Sequence, residues 1–370
     1  MIIGVPKEVK NNEFRVAITA SGVHEFRTQG HTVLVEKSAG VGSNISDSEY
    51  VAAGAELLES ADDVWARADM VMKVKEPIAE EYHRFRHGLI LFTYLHLAAE
   101  PKLTHALMES GVTAIAYETV QEGRALPLLA PMSEVAGRLA VQVGAQVMTA
   151  PSGGPGLLLG GVPGVRPAKV VVLGAGVAGT NATAMAVGTG AEVTILDINI
   201  ARLREIDALY AGRVKTIASN AFEIERAVLD ADLVIGSVLI PGAKAPKLVT
   251  NEMVSRMKPG SVLVDIAVDQ GGCFEDSHVT THQDPTFAVH NSLFYCVGNM
   301  PGAVPNTSTY ALTNVTLRYA VALANLGVKG AFEAVPALAH GLNIADGKVA
   351  HRSVSDAHNL ELAEDWRQLV

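Results

Sequence analysis

The feature that most constrains this chain is the run Val170-Val171-Val172-Leu173-Gly174-Ala175-Gly176-Val177-Ala178-Gly179. The β-branched residues before the first glycine favour a buried strand. The small residues from Thr180 to Thr189, closed by Gly190, favour a helix packed close against it. A strand, a GxGxxG turn and a helix in succession make a dinucleotide-binding unit. Gly174 makes the tight turn, Gly176 lets the backbone approach a pyrophosphate, and Gly179 lets helix and strand pack closely. The helix start at Val177 and Ala178 adds unpaired N–H groups and a partial positive charge for the phosphates. A second strand then closes on Asp197, eighteen residues beyond Gly179. A carboxylate there accepts hydrogen bonds from ribose hydroxyls and repels the extra phosphate of NADP, so the cofactor expected is NAD. Arg202, five residues further on, pulls the other way, since a cation there can meet a phosphate or the adenosine.

The rest of the chain repeats the strand-and-helix rhythm. Strands are expected at 169–173, 192–197, 214–217, 233–238, 262–267 and 295–297, the number a complete Rossmann domain needs. Earlier strands are expected at 2–5, 32–35, 70–74, 89–94 and 113–116, with helices or loops between them, a parallel α/β pattern. Thr19 reads as a helix N-cap and Gly30 as the residue just past that helix. A long helical pattern spans 131–149, a Gly/Pro-rich loop region 151–167, and a further helix 308–326, followed by a polar tail. The expected fold class is α/β with two domains. A Rossmann dinucleotide-binding domain at 131–301 is inserted into a split α/β substrate domain at 1–130 plus 302–370, and the two crossings form a hinge.

Composition narrows the class. The 370 residues can bury two cores, and 49% hydrophobic with 18% charged residues fits a soluble globular protein. A net charge of −10 with no basic stripe argues against nucleic acid. The start Met1-Ile2-Ile3-Gly4-Val5-Pro6 has no basic n-region, and no run reaches the roughly 20 apolar residues of a membrane helix, so neither export nor a membrane partner is expected. Cys273 and Cys296 are the only two cysteines. They fit a reducing compartment without disulfides, and a cytoplasmic location is the default.

Four residues carry candidate chemistry. Arg15 follows the first strand, where a planar guanidinium can hold a carboxylate bidentately; taken alone, an arginine in a loop is more often a solvated surface charge. Lys75 lies at a strand exit before Pro77, facing a ligand crevice or snorkelling at the surface. His96 ends the apolar run Leu91-Phe92-Thr93-Tyr94-Leu95, either as a hydrogen-bonded core residue or as a proton carrier near neutral pH. Asp269 follows a strand of the inserted domain where a nicotinamide would lie, whereas Asp265 sits inside that strand and reads as structural. Side chains at the ends of several strands form a constellation more telling than any one of them.

The match to a known family is specific at this point. Gly4-Val5-Pro6-Lys7-Glu8 with Asn12-Glu13-Phe14-Arg15-Val16-Ala17 resembles the opening of the alanine dehydrogenases and of the related NAD-binding subunit of proton-translocating transhydrogenase. Further segments resemble the family in order along the chain: Lys73-Val74-Lys75-Glu76-Pro77, Tyr94-Leu95-His96-Leu97-Ala98, Pro131-Met132-Ser133-Glu134-Val135-Ala136-Gly137, Gly160-Gly161-Val162-Pro163-Gly164, Asp265-Ile266-Ala267-Val268-Asp269-Gln270-Gly271-Gly272 and Asn299-Met300-Pro301. The resemblance implies reversible NAD-dependent deamination of L-alanine to pyruvate and ammonium, with domain closure completing the site. It implies that Arg15 and Lys75 bind substrate, that His96 acts as acid/base, and that Asp269 assists proton transfer. It implies dinucleotide contacts from Ser133, Asp197, Arg202, Ser219, Val238, Leu239, Ile266, Ala267, Val268, Asp269, Val297, Gly298, Asn299 and Met300, beside the glycine turn. A homohexamer is the assembly it suggests.

Two departures from the family pattern stand out. Ala20 replaces a common proline, and Pro155 occupies a position where a cation is common. The stretch Val321-Ala322-Leu323-Ala324 offers no carboxylate or imidazole, so no metal is expected. The alternative inside the family is a transhydrogenase-like NAD-binding module coupled to a membrane partner, but that subunit lacks counterparts of His96 and Asp269. Saccharopine dehydrogenase, a further relative, would need a wider pocket for a bulkier substrate.

Overall fold

The computed structural model describes residues 1–238, 245–363 and 365–370. The chain divides into two compact units, Met1–Met132 with Val304–Val370, and Ser133–Ala303.

In the first unit, β1 (Ile2–Val5), β2 (Thr32–Glu36), β3 (Glu56–Leu58), β4 (Met70–Met72), β5 (Ile90–Thr93) and β6 (Thr113–Ala116) form a parallel sheet in the order β3-β2-β1-β4-β5-β6. Its strands are apolar on both faces, as a parallel sheet covered by helices requires; Ile3, Val33, Leu34, Val71, Leu91 and Phe92 are all fully buried. The chain first runs outward through β2 and β3, then returns to the other side of β1. The reversal falls between β1 and β4, and the crevice at such a point is where open α/β sheets bind ligands. The helix Ala20–Thr28 starts as expected, with the Thr19 hydroxyl accepting from the Gly22 N–H at 3.4 Å.

The second unit repeats the arrangement. Strands β7 (Lys169–Leu173), β8 (Glu192–Asp197), β9 (Val214–Ala218), β10 (Leu233–Gly236), β11 (Val262–Asp265), β12 (Thr286–Val289) and β13 (Ser292–Tyr295) are ordered β9-β8-β7-β10-β11-β13-β12. All neighbours are parallel except the β12–β13 pair. The expected strand at 295–297 lies earlier, at β13. The two-residue turn between the paired Val289 and Ser292, with His290 at φ +52°, fixes the register of this hairpin. β10 and β11 also stop before the expected 238 and 267, because the chain turns there into the site loops.

The polar tail expected after 326 is instead part of the first unit's sheet. The span Pro305–Ala334 is two helical segments that meet at a kink at Gly327, whose φ of 67° and ψ of 176° break the helical backbone. Then β14 (Leu342–Ala345) pairs antiparallel with β6, and β15 (Lys348–Val349) pairs with β14. The strands are short and flanked by polar residues, which hid them, yet Leu342, Ile344 and Val349 are buried. Among the described residues no helix is long and apolar enough to cross a membrane.

One buried charge cluster ties the reversal point of the first sheet together. Lys73, directly after β4 and 1% exposed, places its Nζ 3.1 Å from Glu8 Oε2 and 3.2 Å from Glu81 Oε1. Glu8 Oε1 also accepts from the Val74 N–H at 2.6 Å. Burial alone would depress the Lys73 ammonium, but the two carboxylates hold its pKa above the ordinary value. Lys73→Met leaves Glu8 and Glu81 buried without their shared cation. Unfolding in urea is expected to show a loss of about 3–5 kcal/mol; an unchanged midpoint would refute the assignment of the cluster as a structural tie.

Candidate functional site

Each unit carries a cluster of candidate residues at the carboxyl ends of its strands, beginning with the glycine turn of the second unit. Gly174 has φ +101°, and a Cβ there would lie 2.9 Å from Val238 Cγ2. A Cβ on Gly179 would lie 1.8 Å from the Gly174 carbonyl oxygen and 2.7 Å from Ser237 Oγ. Packing therefore dictates both glycines. Gly176 differs, since a Cβ there would meet no atom within 4 Å. No packing constraint explains that glycine. A pyrophosphate approaching the start of the helix Val177–Gly188 does, so the turn fits a dinucleotide.

Asp197 and Arg202, which pull in opposite directions in the sequence, hold the two peptide groups on either side of the same residue, Ala175. Asp197 Oδ2 accepts from the Ala175 N–H at 2.5 Å, while Arg202 Nε donates to the Ala175 carbonyl at 3.2 Å. Arg202 also donates to Thr180 Oγ1 at 3.1 Å and pairs with Glu205. The second carboxylate oxygen of Asp197 accepts from Asn199 N–H at 2.7 Å, and its carbonyl accepts from Ser219 N–H at 2.9 Å, which seats Ser219 beside it. Sequence reasoning missed Ser237. Its hydroxyl lies 2.8 Å from the Leu173 carbonyl and 3.1 Å from that of Gly174, bracing the turn from β10. A small polar residue directly after a strand beside the reversal point was the available signal.

The segments 266–269 and 297–300 meet. Asp269 is exposed on the turn Val268–Gln270, and its Oδ2 accepts from the Asn299 N–H at 3.1 Å. A Cβ on Gly298 would lie 2.9 Å from Asp269 Oδ1. Ile266 is half-buried, and Ala267, Val268, Val297 and Met300 are buried around this contact. Asp265 is structural, as read from the sequence. It is fully buried and accepts from the N–H groups of Ala267, Cys273 and Phe274 and from Ser277 Oγ. Ser133 is half-buried on the helix Ala130–Val147, one turn before Gly137, whose Cβ would lie 2.1 Å from the Ala178 carbonyl oxygen. Leu239 lies outside the described residues.

In the first unit the loops after β1, β4 and β5, three adjacent strands, carry Arg15, Lys75 and His96. Arg15 is buried rather than solvated. Its Nε and Nη2 donate to the two Glu13 oxygens at 2.7 and 2.5 Å, and Nη1 lies 3.1 Å from Met132 Sδ. Burial would lower its pKa; the Glu13 carboxylate more than offsets this and keeps the guanidinium charged. Lys75 is partly buried, with its Nζ 3.8 Å from Glu76 Oε2, an oxygen that is buried and accepts no hydrogen bond. Glu76 also pairs with Lys10. Burial would raise the Glu76 carboxyl, but the charges of Lys75, His96 and Lys10 override it and hold the group below its ordinary range.

His96 is no core residue. Its side chain is 41% exposed, its backbone is left-handed (φ 50°, ψ 34°), and its ring stacks parallel to that of Tyr94 at 5.9 Å. The Glu118 carboxylate accepts from its backbone N–H at 2.7 Å. Glu13, Glu76 and Glu118 were not found from sequence.

A doubly wound fold with this braced glycine turn defines a dinucleotide-binding protein. Residues 4–136 match the family model described as "Alanine dehydrogenase/PNT, N-terminal domain", and residues 140–352 match its C-terminal counterpart. The chain belongs to the alanine dehydrogenase/PNT family. It is 61% identical to the alanine dehydrogenase of Mycobacterium tuberculosis, covering 96% of each chain. Against that of Bacillus subtilis the identity is 59%, covering 96% of this chain and 94% of the relative. Among solved structures it is similar to an L-alanine dehydrogenase (TM-score 0.94, 54% identity, 97% and 99% of the two chains). It is also similar, more distantly, to a transhydrogenase from Sinorhizobium meliloti (TM-score 0.82, 28% identity, 95% and 100%).

The two kinds of glycine separate experimentally. Gly179→Ala is expected to disrupt folding, whereas Gly176→Ala should melt at the wild-type temperature and lose about tenfold or more in NADH affinity by fluorescence titration, about 1.4 kcal/mol per decade. Equal effects of both on melting would contradict the distinction.

Proposed function

We propose that this chain catalyses the reversible NAD-dependent oxidative deamination of L-alanine to pyruvate and ammonium. The observation that carries the reading is its 61% identity, over nearly the whole length of both chains, to an alanine dehydrogenase. A transhydrogenase-like module coupled to a membrane partner is less supported, the likeness there being 28% identical.

In this reading the segment 131–301 holds NAD, and 1–130 with 302–370 holds substrate. The Gly174–Gly179 turn and Asp197 would hold NAD, which when bound would supply the acceptor for the hydride that leaves the alanine α-carbon. Ser133, Arg202, Ser219, Val238, Leu239 and the segments 266–269 and 297–300 complete its surroundings. Lys75 and Arg15 hold the substrate carboxylate, and Glu13 fixes the orientation of the Arg15 guanidinium; this positions the reacting carbon. The substrate amine must be neutral before hydride leaves, and the resulting iminium is attacked at carbon by water. His96 takes the proton from that water, Asp269 assists, and the carbinolamine collapses to pyruvate and ammonium. In reverse, protonated His96 acts as the acid. We further propose a cytoplasmic homohexamer serving L-alanine catabolism. The exposed Leu158, Val162 and Val165, at 66%, 54% and 62% accessibility, support an assembled state.

Absorbance at 340 nm tests the activity directly. Alanine with NAD is expected to turn over, faster towards alkaline pH as the amine loses its proton, while serine, lysine with 2-oxoglutarate, and NADP react poorly. Asp197→Ala should narrow the preference for NAD by about tenfold or more. Equal use of both cofactors by the unaltered enzyme would overturn the role of Asp197.

The proton-transfer assignment is tested by a double-mutant cycle on pyruvate turnover at saturating NADH. His96→Ala and Asp269→Ala should each lower kcat by roughly 10² to 10⁴, and the double mutant should lose much less than the product of the two, because groups acting as a unit are not additive. Near wild-type kcat in His96→Ala would remove His96 from the chemistry.

A further inference from the structure

β5 and β6 run parallel and in register, with Thr93 opposite Ala116. The chain therefore leaves both strands at the same level. Two residues past Ala116, on the turn Tyr117–Thr119, Glu118 comes beside the loop that carries His96. Its Oε1 accepts from the Leu95 N–H at 3.2 Å and the His96 N–H at 2.7 Å, and Oε2 accepts from Leu95 N–H at 3.3 Å. Two consecutive N–H groups thus converge on one carboxylate, the arrangement of a backbone anion nest. The same Oε1 lies 3.9 Å from His96 Nδ1, beyond hydrogen-bond range. A left-handed backbone at a non-glycine residue is strained and persists only where its surroundings enforce it. Glu118 is the group that enforces it here, and its side chain is 14% exposed.

We propose that Glu118 is the positioning residue for His96: its carboxylate fixes the left-handed turn that presents the imidazole and stabilises the ring when it carries a second proton. This rests on the acid/base role of His96 given above. With Nδ1 facing Glu118, Nε2 is left to exchange protons with substrate or water, the division of labour by which a carboxylate sets a catalytic imidazole. Tyr94 supports the same geometry. Its ring lies 5° from parallel with the imidazole, and its hydroxyl is anchored on the Leu128 carbonyl at 2.5 Å. The other charged groups around His96 and Glu118 are Lys75 and Glu76 after β4, with Glu76 responding to the His96 charge, and His351 before the helix Arg352–His358, which responds to Glu118.

The test uses the full-length enzyme and the pH profile of kcat/KM for pyruvate at saturating NADH and ammonium. Glu118→Gln retains a carbonyl oxygen to accept from the two backbone N–H groups but removes the charge. Its alkaline fall-off, which reports the group that must be protonated, is expected to move to lower pH by about one unit, a tenfold change in the protonation equilibrium. Glu118→Asp keeps the charge on a shorter arm. It should keep the fall-off at the wild-type pH while kcat drops severalfold, and it carries the test if Glu118→Gln fails to fold. His351→Gln should leave the fall-off in place. A profile for Glu118→Gln that superimposes on wild type, an equal displacement in Glu118→Asp, or an equal displacement in His351→Gln overturns the proposal. If the unaltered enzyme does not reduce pyruvate, it is the functional reading that fails; if it does and the profiles coincide, only Glu118 does.

Discussion

The structure depends on a reversal of strand order that occurs twice, between β1 and β4 and again between β7 and β10. At such a point the two crossovers leave on opposite faces of the sheet, and the loops after the two central strands face a crevice that no helix fills. Both units brace that gap from the same place. Lys73 is the first residue after β4 and reaches Glu8 in the loop after β1; Ser237 is the first residue after β10 and reaches the carbonyls of Leu173 and Gly174 at the end of β7. One brace is an ion pair in a buried cluster and the other a hydroxyl under a glycine turn. The difference follows from what each loop must do. A loop that approaches a pyrophosphate needs small residues and exposed N–H groups, whereas a loop that carries charged side chains can be tied by a charge of its own.

The second organising pattern is that the candidate cations of the first unit are each set beside an acid. Arg15 has Glu13, Lys75 and Lys10 share Glu76, and the His96 loop has Glu118. Buried cations without partners would be costly. A pairing that is complete would leave nothing for a ligand. The geometry meets both requirements at Lys75, whose 3.8 Å separation from Glu76 is electrostatic support without a hydrogen bond. Glu76 stays ionised in a buried setting because of the cations around it.

What could be read from the sequence was what repeats at short range. The glycine turn, the acid ending β8, the N-cap at Thr19 and most parallel strands have signatures within one strand or one helical turn. The paired acids do not. Glu118 meets His96 across 22 positions and Glu76 meets Lys10 across 66, and no local period links such residues. Only parallel registration of neighbouring strands brings them to one level. The same reason helped hide β14, whose pairing partner β6 lies more than two hundred residues earlier. The opposed readings of Asp197 and Arg202 were both drawn from ligand chemistry alone. Their shared hold on Ala175, through its N–H and its carbonyl, became visible only when the backbone between them was placed.

Charge balance connects the first unit's residues to a reversible reaction. Arg15, Lys10 and Lys75 supply three positive charges and Glu13, Glu76 and Glu118 three negative ones, so the set is neutral when His96 is neutral. Alanine binds as a zwitterion with no net charge and must lose a proton from its amine, a requirement served by a neutral imidazole able to accept protons. Pyruvate brings a net negative charge, which Arg15 and Lys75 would offset in the mechanism proposed above. That mechanism calls on the base form of His96 in one direction and the acid form in the other. A single unpaired cation in place of the imidazole would bind pyruvate as well, but it would offer no proton acceptor to alanine. The proposed mechanism therefore requires a proton-exchanging group in the loop after β5, the place of His96.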